Sequence, residues 1–154
     1  MISRLEHTSD ETAQRIRAVF QVSYAVEAKL LKAKNFPPLQ RKLNEFLESD
    51  TFFYGYFKED SLTAVIEIDI REDATHIQSL GVAPTYFRQG IASALLDFVL
   101  EKYPLKLITV ETGLDNEPAT QLYQGFGFKK TKEWDTNHGV RKIAFELIRR
   151  TRNS

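Results

Sequence analysis

Between Leu80 and Leu96 the chain reads Leu-Gly-Val-Ala-Pro-Thr-Tyr-Phe-Arg-Gln-Gly-Ile-Ala-Ser-Ala-Leu-Leu. That is a strand end, a proline break, a short polar loop, a glycine and the start of a helix. A loop entering a helix N-terminus offers unpaired backbone amides and the positive end of the helix dipole, which together suit an anion. Gly90 and Ala92 lack bulk, so phosphate oxygens can approach the backbone closely. Arg88 adds a charge that can pair with phosphate. The segment carries neither the GxGxxG of a dinucleotide fold nor the GxxxxGK[ST] of a P-loop. Taken by itself it also reads as a plain strand-to-helix turn, with small residues kept for packing.

A second segment follows, Asn116-Glu117-Pro118-Ala119-Thr120-Gln121-Leu122-Tyr123-Gln124-Gly125-Phe126-Gly127-Phe128. Asn116 suits the N-cap of a helix starting near Glu117. The two segments, in this order, resemble the GNAT superfamily of acyl-CoA-dependent N-acyltransferases. That family carries a Q/R-x-x-G-x-G/A loop after V-x-P. Here Val82-Ala83-Pro84 precedes Phe87-Arg88-Gln89-Gly90-Ile91-Ala92, with Phe87 in place of Gln or Arg and Arg88 one position later. The second segment is similar to the family's N-x-x-A-x-x-L-Y-x-x-x-G-F. The resemblance implies acetyl-CoA as co-substrate, with contacts from Leu80, Val82, Phe87, Arg88, Gln89, Gly90, Ile91, Ala92, Ser93, Asn116, Ala119 and Tyr123. It also implies Tyr123 as general acid at the leaving sulfur, the alternative being a tyrosine packed beside Phe126 and Phe128. The activity expected is acetyl transfer to a primary amine of a small molecule. A protein amine, or acyl-CoA binding without catalysis, are the alternatives.

Such a transfer needs a neutral amine, a polarised carbonyl and both substrates held together. Glu67 is the first candidate for the base, because apolar neighbours can raise its pKa. Asp69, Glu111, Glu27 or a water chain remain open, and Gln78 cannot serve. In the fold implied, the acceptor lies between the early helices and the last hairpin. Tyr24, Glu27, Phe36 and Trp134 stand there and suit a cationic amine; each aromatic also reads as packing. The basic stretch Lys29–Lys42 and the Arg149-Arg150-Arg152 tail read as solvated surface.

The elements that must position these residues follow from periodicity. Residues 2–6 read as a strand. Thr8-Ser9-Asp10-Glu11 reads as a capping box opening a helix through Leu31, and Pro38 opens a second helix to about Glu48. Strands are expected over 51–57, 62–70 and 75–82 as an antiparallel meander, with Ala64, Ile66 and Ile68 opposite Val65, Glu67 and Asp69. A helix over 90–102, a strand over 105–111 and a helix over 117–124 follow. Strands over 128–134 and 140–148 close the chain as a hairpin. The order β-α-α-β-β-β-α-β-α-β-β gives a mixed α/β sheet, mostly antiparallel with a central parallel pair.

Composition sets the bounds. The sequence has 154 residues, which fits one N-acetyltransferase domain over 1–154. It has 21 basic and 21 acidic residues, and this balance argues against a nucleic-acid partner. It has no cysteine, which excludes thiolate catalysis and Cys-type metal sites. Three scattered histidines point to no metal site. No apolar span or signal pattern is evident, so a cytoplasmic location is expected, without a membrane partner. The last strand can pair or swap in a homodimer.

Overall fold

The computed structural model describes residues 1–104 and 107–149. Seven strands form one sheet: β1 (Ile2–Leu5), β2 (Phe52–Lys58), β3 (Ser61–Ile70), β4 (Thr75–Val82), β5 (Leu107–Gly113), β6 (Lys129–Asp135) and β7 (Arg141–Ile148). Their spatial order is β1-β2-β3-β4-β5-β7-β6. Every pairing is antiparallel except β4 with β5. The expected meander and closing hairpin are present, and β7 lies inside β6.

The strand alternation has a consequence that polarity alone hides. Ala64, Ile66 and Ile68 face α4 (Ile91–Lys102), where Leu95, Leu96 and Val99 meet them in the larger core. The opposite face of β3 is covered as well. Val65 packs with Ala13, Ile16, Val19 and Phe20 of α1 (Asp10–Leu31). Each buried Ile or Leu contributes about 1.5–3 kcal/mol, so both faces of the central strands are fixed apolar layers. No helix of the described residues is long and apolar enough to cross a membrane.

Two local expectations need correction. The N-cap of α1 is Ser9, without a side-chain cap bond, so the Thr8–Glu11 box does not form. The single helix expected over 38–48 is two short ones, α2 (Pro37–Gln40) and α3 (Leu43–Leu47). Arg41 and Lys42 between them are extended. Arg41, at the break, sends its guanidinium to Glu67, and Lys42 begins α3 with the Glu45 side chain on its amide. The start of the strand expected at 105 falls on residues 105 and 106, outside the described residues, as do Arg150 and Arg152.

The feature that shapes the site is a parting of β4 from β5. Their ladder is limited to Thr75–Ile77 opposite Ile108–Val110, although β4 runs on to Val82 and β5 to Gly113. The parting begins where β4 gains a residue. Ile68 pairs with Ile77 but Glu67 pairs with Ser79, leaving Gln78 as a bulge that bends the strand.

Candidate active site

The parted strands open a cleft of about 1070 Å³. One end is the loop and first turn of α4. Gly90 is the N-cap of α4 and adopts φ +75, a conformation that favours glycine. A Cβ at Gly90 would meet nothing within 4 Å, so the backbone is open to an approaching group. Phe87, Arg88, Gly90, Ile91, Ala92 and Ser93 all line the cleft. The early N–H groups of α4 have no partner within the helix, which makes this end fit a phosphate. Gln89 does not line it; its side chain accepts from Lys58 Nζ instead.

Along the floor, the free edge of β4 presents Leu80 and Val82. The Leu80 amide donates to the Tyr24 hydroxyl at 3.2 Å, and the Val82 amide to Ser23 Oγ at 3.2 Å. Both acceptors come from α1, which crosses close over β4. A Cβ on Gly81 would lie 2.9 Å from the Phe20 ring and 3.0 Å from Ser23 Oγ, so only glycine allows this approach. The two hydroxyls are exchangeable partners, and the amides beneath them fit an amide-bearing arm or a carbonyl oxygen.

At the centre three elements converge. Asn116 caps α5 (Glu117–Gly125) through Oδ1, which accepts from the Ala119 amide at 3.3 Å. Its Nδ2 donates to the Glu27 carboxylate from α1. Burial raises the pKa of Glu27, opposed in smaller measure by Asn116 and Lys142. Tyr123, on α5, is 4% exposed and packs against Phe128 and Phe145 at ring distances of 5.5 and 6.1 Å. Burial, then the neighbouring Tyr24 and Glu27, push its pKa far above the ordinary value of 10.0. Tyr123 lines the cleft, and its hydroxyl is not among the buried oxygens lacking a partner. It therefore opens on the cleft as a proton-bearing donor. Its raised pKa keeps the hydroxyl protonated at neutral pH, able to donate a hydrogen bond.

The far end of the cleft is lined by Leu30, Leu31, Phe36, Pro37, His138 and Val140. Tyr24, Glu27 and Phe36, the expected acceptor contacts, line the cleft. The segment after α1 and the β6–β7 turn touch, through the Lys34 amide to the His138 carbonyl at 2.9 Å and the Phe36 and His138 rings at 6.0 Å. They close this end against each other.

Three expectations do not hold in place. Glu67 does not line the cleft. It is 1% exposed, and Arg41 holds both its oxygens at 2.7 and 3.0 Å while Thr51 Oγ1 donates at 2.6 Å. Its neighbours are thus a cation and a hydroxyl, not an apolar shell, and no lone pair is aimed at a substrate. Trp134 lies on β6 among Lys132 and Lys142, 4.9 and 5.9 Å from its ring, and not in the cleft. Asp69 pairs with Arg71 at 3.2 Å, away from the cleft. Glu111 does reach the cleft but is paired with Lys142 at 3.1 Å. His76, bonded to Thr109 at 2.6 Å and with its pKa lowered chiefly by burial, stays outside. Arg41, Val140 and Lys142 line the cleft without any spacing signal in the sequence to announce them.

Residues 14–128 match the model of the "Acetyltransferase (GNAT) family". The chain is 33% identical over 148 residues to the UPF0157 protein YqkA of Bacillus subtilis (strain 168), covering 96% of this chain and 43% of that protein. It thus spans less than half the length of that curated relative. Among solved structures, the PaiA N-acetyltransferase of Thermoplasma acidophilum in complex with coenzyme A has a TM-score of 0.74 at 20% identity, covering 97% of this chain and 98% of that one. The ribosomal-protein-S18-alanine N-acetyltransferase of Escherichia coli also has a TM-score of 0.74 at 20% identity, covering 96% and 92%.

Proposed function

The chain belongs to the GNAT acetyltransferase family, and we propose that it moves an acetyl group from acetyl-CoA directly onto a primary amine of a small molecule. The observation that carries this reading is the meeting of Glu27, Asn116 and Tyr123 beside the β4 amides that only side-chain hydroxyls occupy. Acetyl-CoA is the substrate that supplies an activated thioester. The amides and dipole at the start of α4 hold its pyrophosphate. The edge of β4 takes its pantetheine arm, and the Val82 amide is placed to polarise the thioester carbonyl.

Glu27, rather than Glu67, is the base in this scheme. Its raised pKa brings it closer to that of a useful proton acceptor. The amine nitrogen attacks the carbonyl carbon, the carbon–sulfur bond breaks, and the amine proton goes to the Glu27 carboxylate. Asn116 fixes that carboxylate by its amide bond. The Tyr123 hydroxyl donates a hydrogen bond to the departing sulfur. Neither step needs a covalent enzyme intermediate.

A small acceptor is supported by the contact of Lys34 and Phe36 with His138, which narrows the cleft at that end. The test is thiol release from acetyl-CoA over a panel of polyamines, amino acids, aminoglycoside amines and peptides. Turnover is expected on a small amine. Turnover on peptides alone would move the acceptor class to proteins, and coenzyme A binding without turnover would mark a non-catalytic module.

A further inference from the structure

Residues 33–48 wall the acceptor end and hold little regular structure of their own, only α2 and α3. Buried Phe36 and Phe46 anchor them, and polar ties to other elements add to this. Two come from α1 to backbone carbonyls: Arg17 Nε to Arg41 at 3.3 Å, and Gln21 Nε2 to Leu39 at 3.1 Å. One is the Lys34 amide to His138. The fourth differs in kind, because it joins two ionised side chains. Arg41 Nη1 and Nη2 reach Glu67 Oε1 and Oε2, and the guanidinium lies 4.0 Å above the Phe46 ring. Arg41 lines the cleft and Glu67 does not. Arg41 therefore links the cleft wall to β3.

Burying such a pair is a poor way to gain stability, since desolvation offsets most of the attraction. What a two-pronged pair supplies is geometry: two parallel bonds fix both the height and the plane of the guanidinium. The reference point is also informative. Glu67 pairs in register with Ser79, the residue after the Gln78 bulge and directly before Leu80. The wall is thus gauged against the stretch of β4 that carries the cleft-facing amides.

We propose that the Arg41–Glu67 pair is a positioning latch that sets the acceptor wall over β4, and so places the bound amine relative to the thioester and Glu27. Its role toward substrate rests on the acetyltransferase reading above; the latch itself does not. Three variants test it. Glu67→Gln keeps the shape and removes the charge. The double variant Arg41→Leu with Glu67→Leu leaves no unpaired ion and keeps the protein folded if the single variant unfolds.

Segment-resolved hydrogen exchange, coenzyme A binding and steady-state kinetics are then compared with wild type, using the panel amine that wild type acetylates fastest. Exchange over 33–48 should quicken by about tenfold or more, with β4 and α4 unchanged. The KM for the amine should rise about tenfold, while the KM for acetyl-CoA and the Kd for coenzyme A stay within about twofold. Arg41→Lys, which keeps the charge but loses the fork, should fall between. Wild-type exchange over 33–48 in a folded double variant overturns the latch. So does an equal rise in both KM values, the mark of a general packing defect. If wild type acetylates no amine in the panel, the acetyltransferase reading fails, and the exchange comparison still decides the latch.

Discussion

The two halves of the cleft are built from different materials. The half at β4 and α4 is backbone: amides at Leu80 and Val82, the open Gly90, and the first turn of α4. The acceptor half is side chains, drawn from α1, the 33–48 segment and the β6–β7 turn. A backbone site depends on where turns and small residues fall, so it tolerates most side-chain changes and responds to changes in φ or bulk. A side-chain site depends on pairs that meet only after folding, such as Glu27 with Asn116, 89 residues apart. Substitutions in the two halves should therefore fail in different ways.

The largest effect is expected at Glu27. Glu27→Gln should lower kcat by about a hundred- to a thousandfold, the usual size of a lost general base, with coenzyme A affinity unchanged. Its pH dependence is the sharper measure. Since the carboxylate is the working form and burial raises its pKa, wild-type kcat/KM should fall as pH drops through that raised value. The variant should lack this acid limb. Stability carries the opposite sign. Native Glu27 keeps its proton to higher pH than the unfolded chain, whose ordinary value is 4.5. Wild type therefore loses stability as pH rises from that value through the raised one, and Glu27→Gln should abolish the loss. Denaturant midpoints across that range check it. Protonation of the amine gives both proteins a fall at higher pH, so the mark of Glu27 is the added break at its own raised value; that break persisting in the variant would remove Glu27 as the base.

Tyr123→Phe should lower kcat by about a hundredfold, as when one preorganised donor is lost, with the Kd for coenzyme A nearly constant. Because burial raises the pKa of Tyr123, no loss of activity assignable to its ionisation should appear below about pH 10. An alkaline limb below that pH, present in wild type and absent from the variant, would contradict the raised pKa, and an unchanged kcat in Tyr123→Phe would remove the donor role.

The contrast between the halves also explains what could be read from sequence. The loop at Gly90 and the N-cap at Asn116 were legible because backbone recognition leaves local spacing: Pro84, Gly90 and Ala92 on one side, and Asn116 with Tyr123 on the other. Glu67 misled because β3 alternates in sequence as though one face were wet, while α1 covers that face and Arg41 meets the carboxylate from a non-adjacent segment. Trp134 misled because a strand's period of two places it with Lys132 and Lys142, not toward the cleft. The break in the expected 38–48 helix falls at Arg41, the residue that makes this long-range pair, which no local pattern announces.

In the backbone half, Gly90→Val should weaken coenzyme A binding about tenfold, because a β-branched residue is strained at positive φ and fills the open approach. The KM for the amine should not move. Calorimetric titration with coenzyme A, beside amine kinetics at saturating acetyl-CoA, measures the two separately. A matching rise in the amine KM would mean that the halves are coupled through α4 rather than separable.

The smallest effect, and the one that probes the seam between the halves, belongs to Ser23. In the free protein its hydroxyl accepts the Val82 amide, the group assigned to the thioester carbonyl. Ser23 is then a competitor of the substrate for one donor. Removing the hydroxyl costs the free state a net hydrogen bond of about 0.5–1.5 kcal/mol and costs the complex nothing if the ligand has displaced it. Ser23→Ala should therefore tighten acetyl-CoA binding about two- to tenfold. Unchanged affinity would mean that the ligand leaves the Val82 amide with Ser23. Weakened affinity would mean that the hydroxyl itself holds the ligand. Either outcome moves the polarising donor away from Val82, and a gain in affinity places it at the backbone of β4, where α1 shields it until substrate arrives.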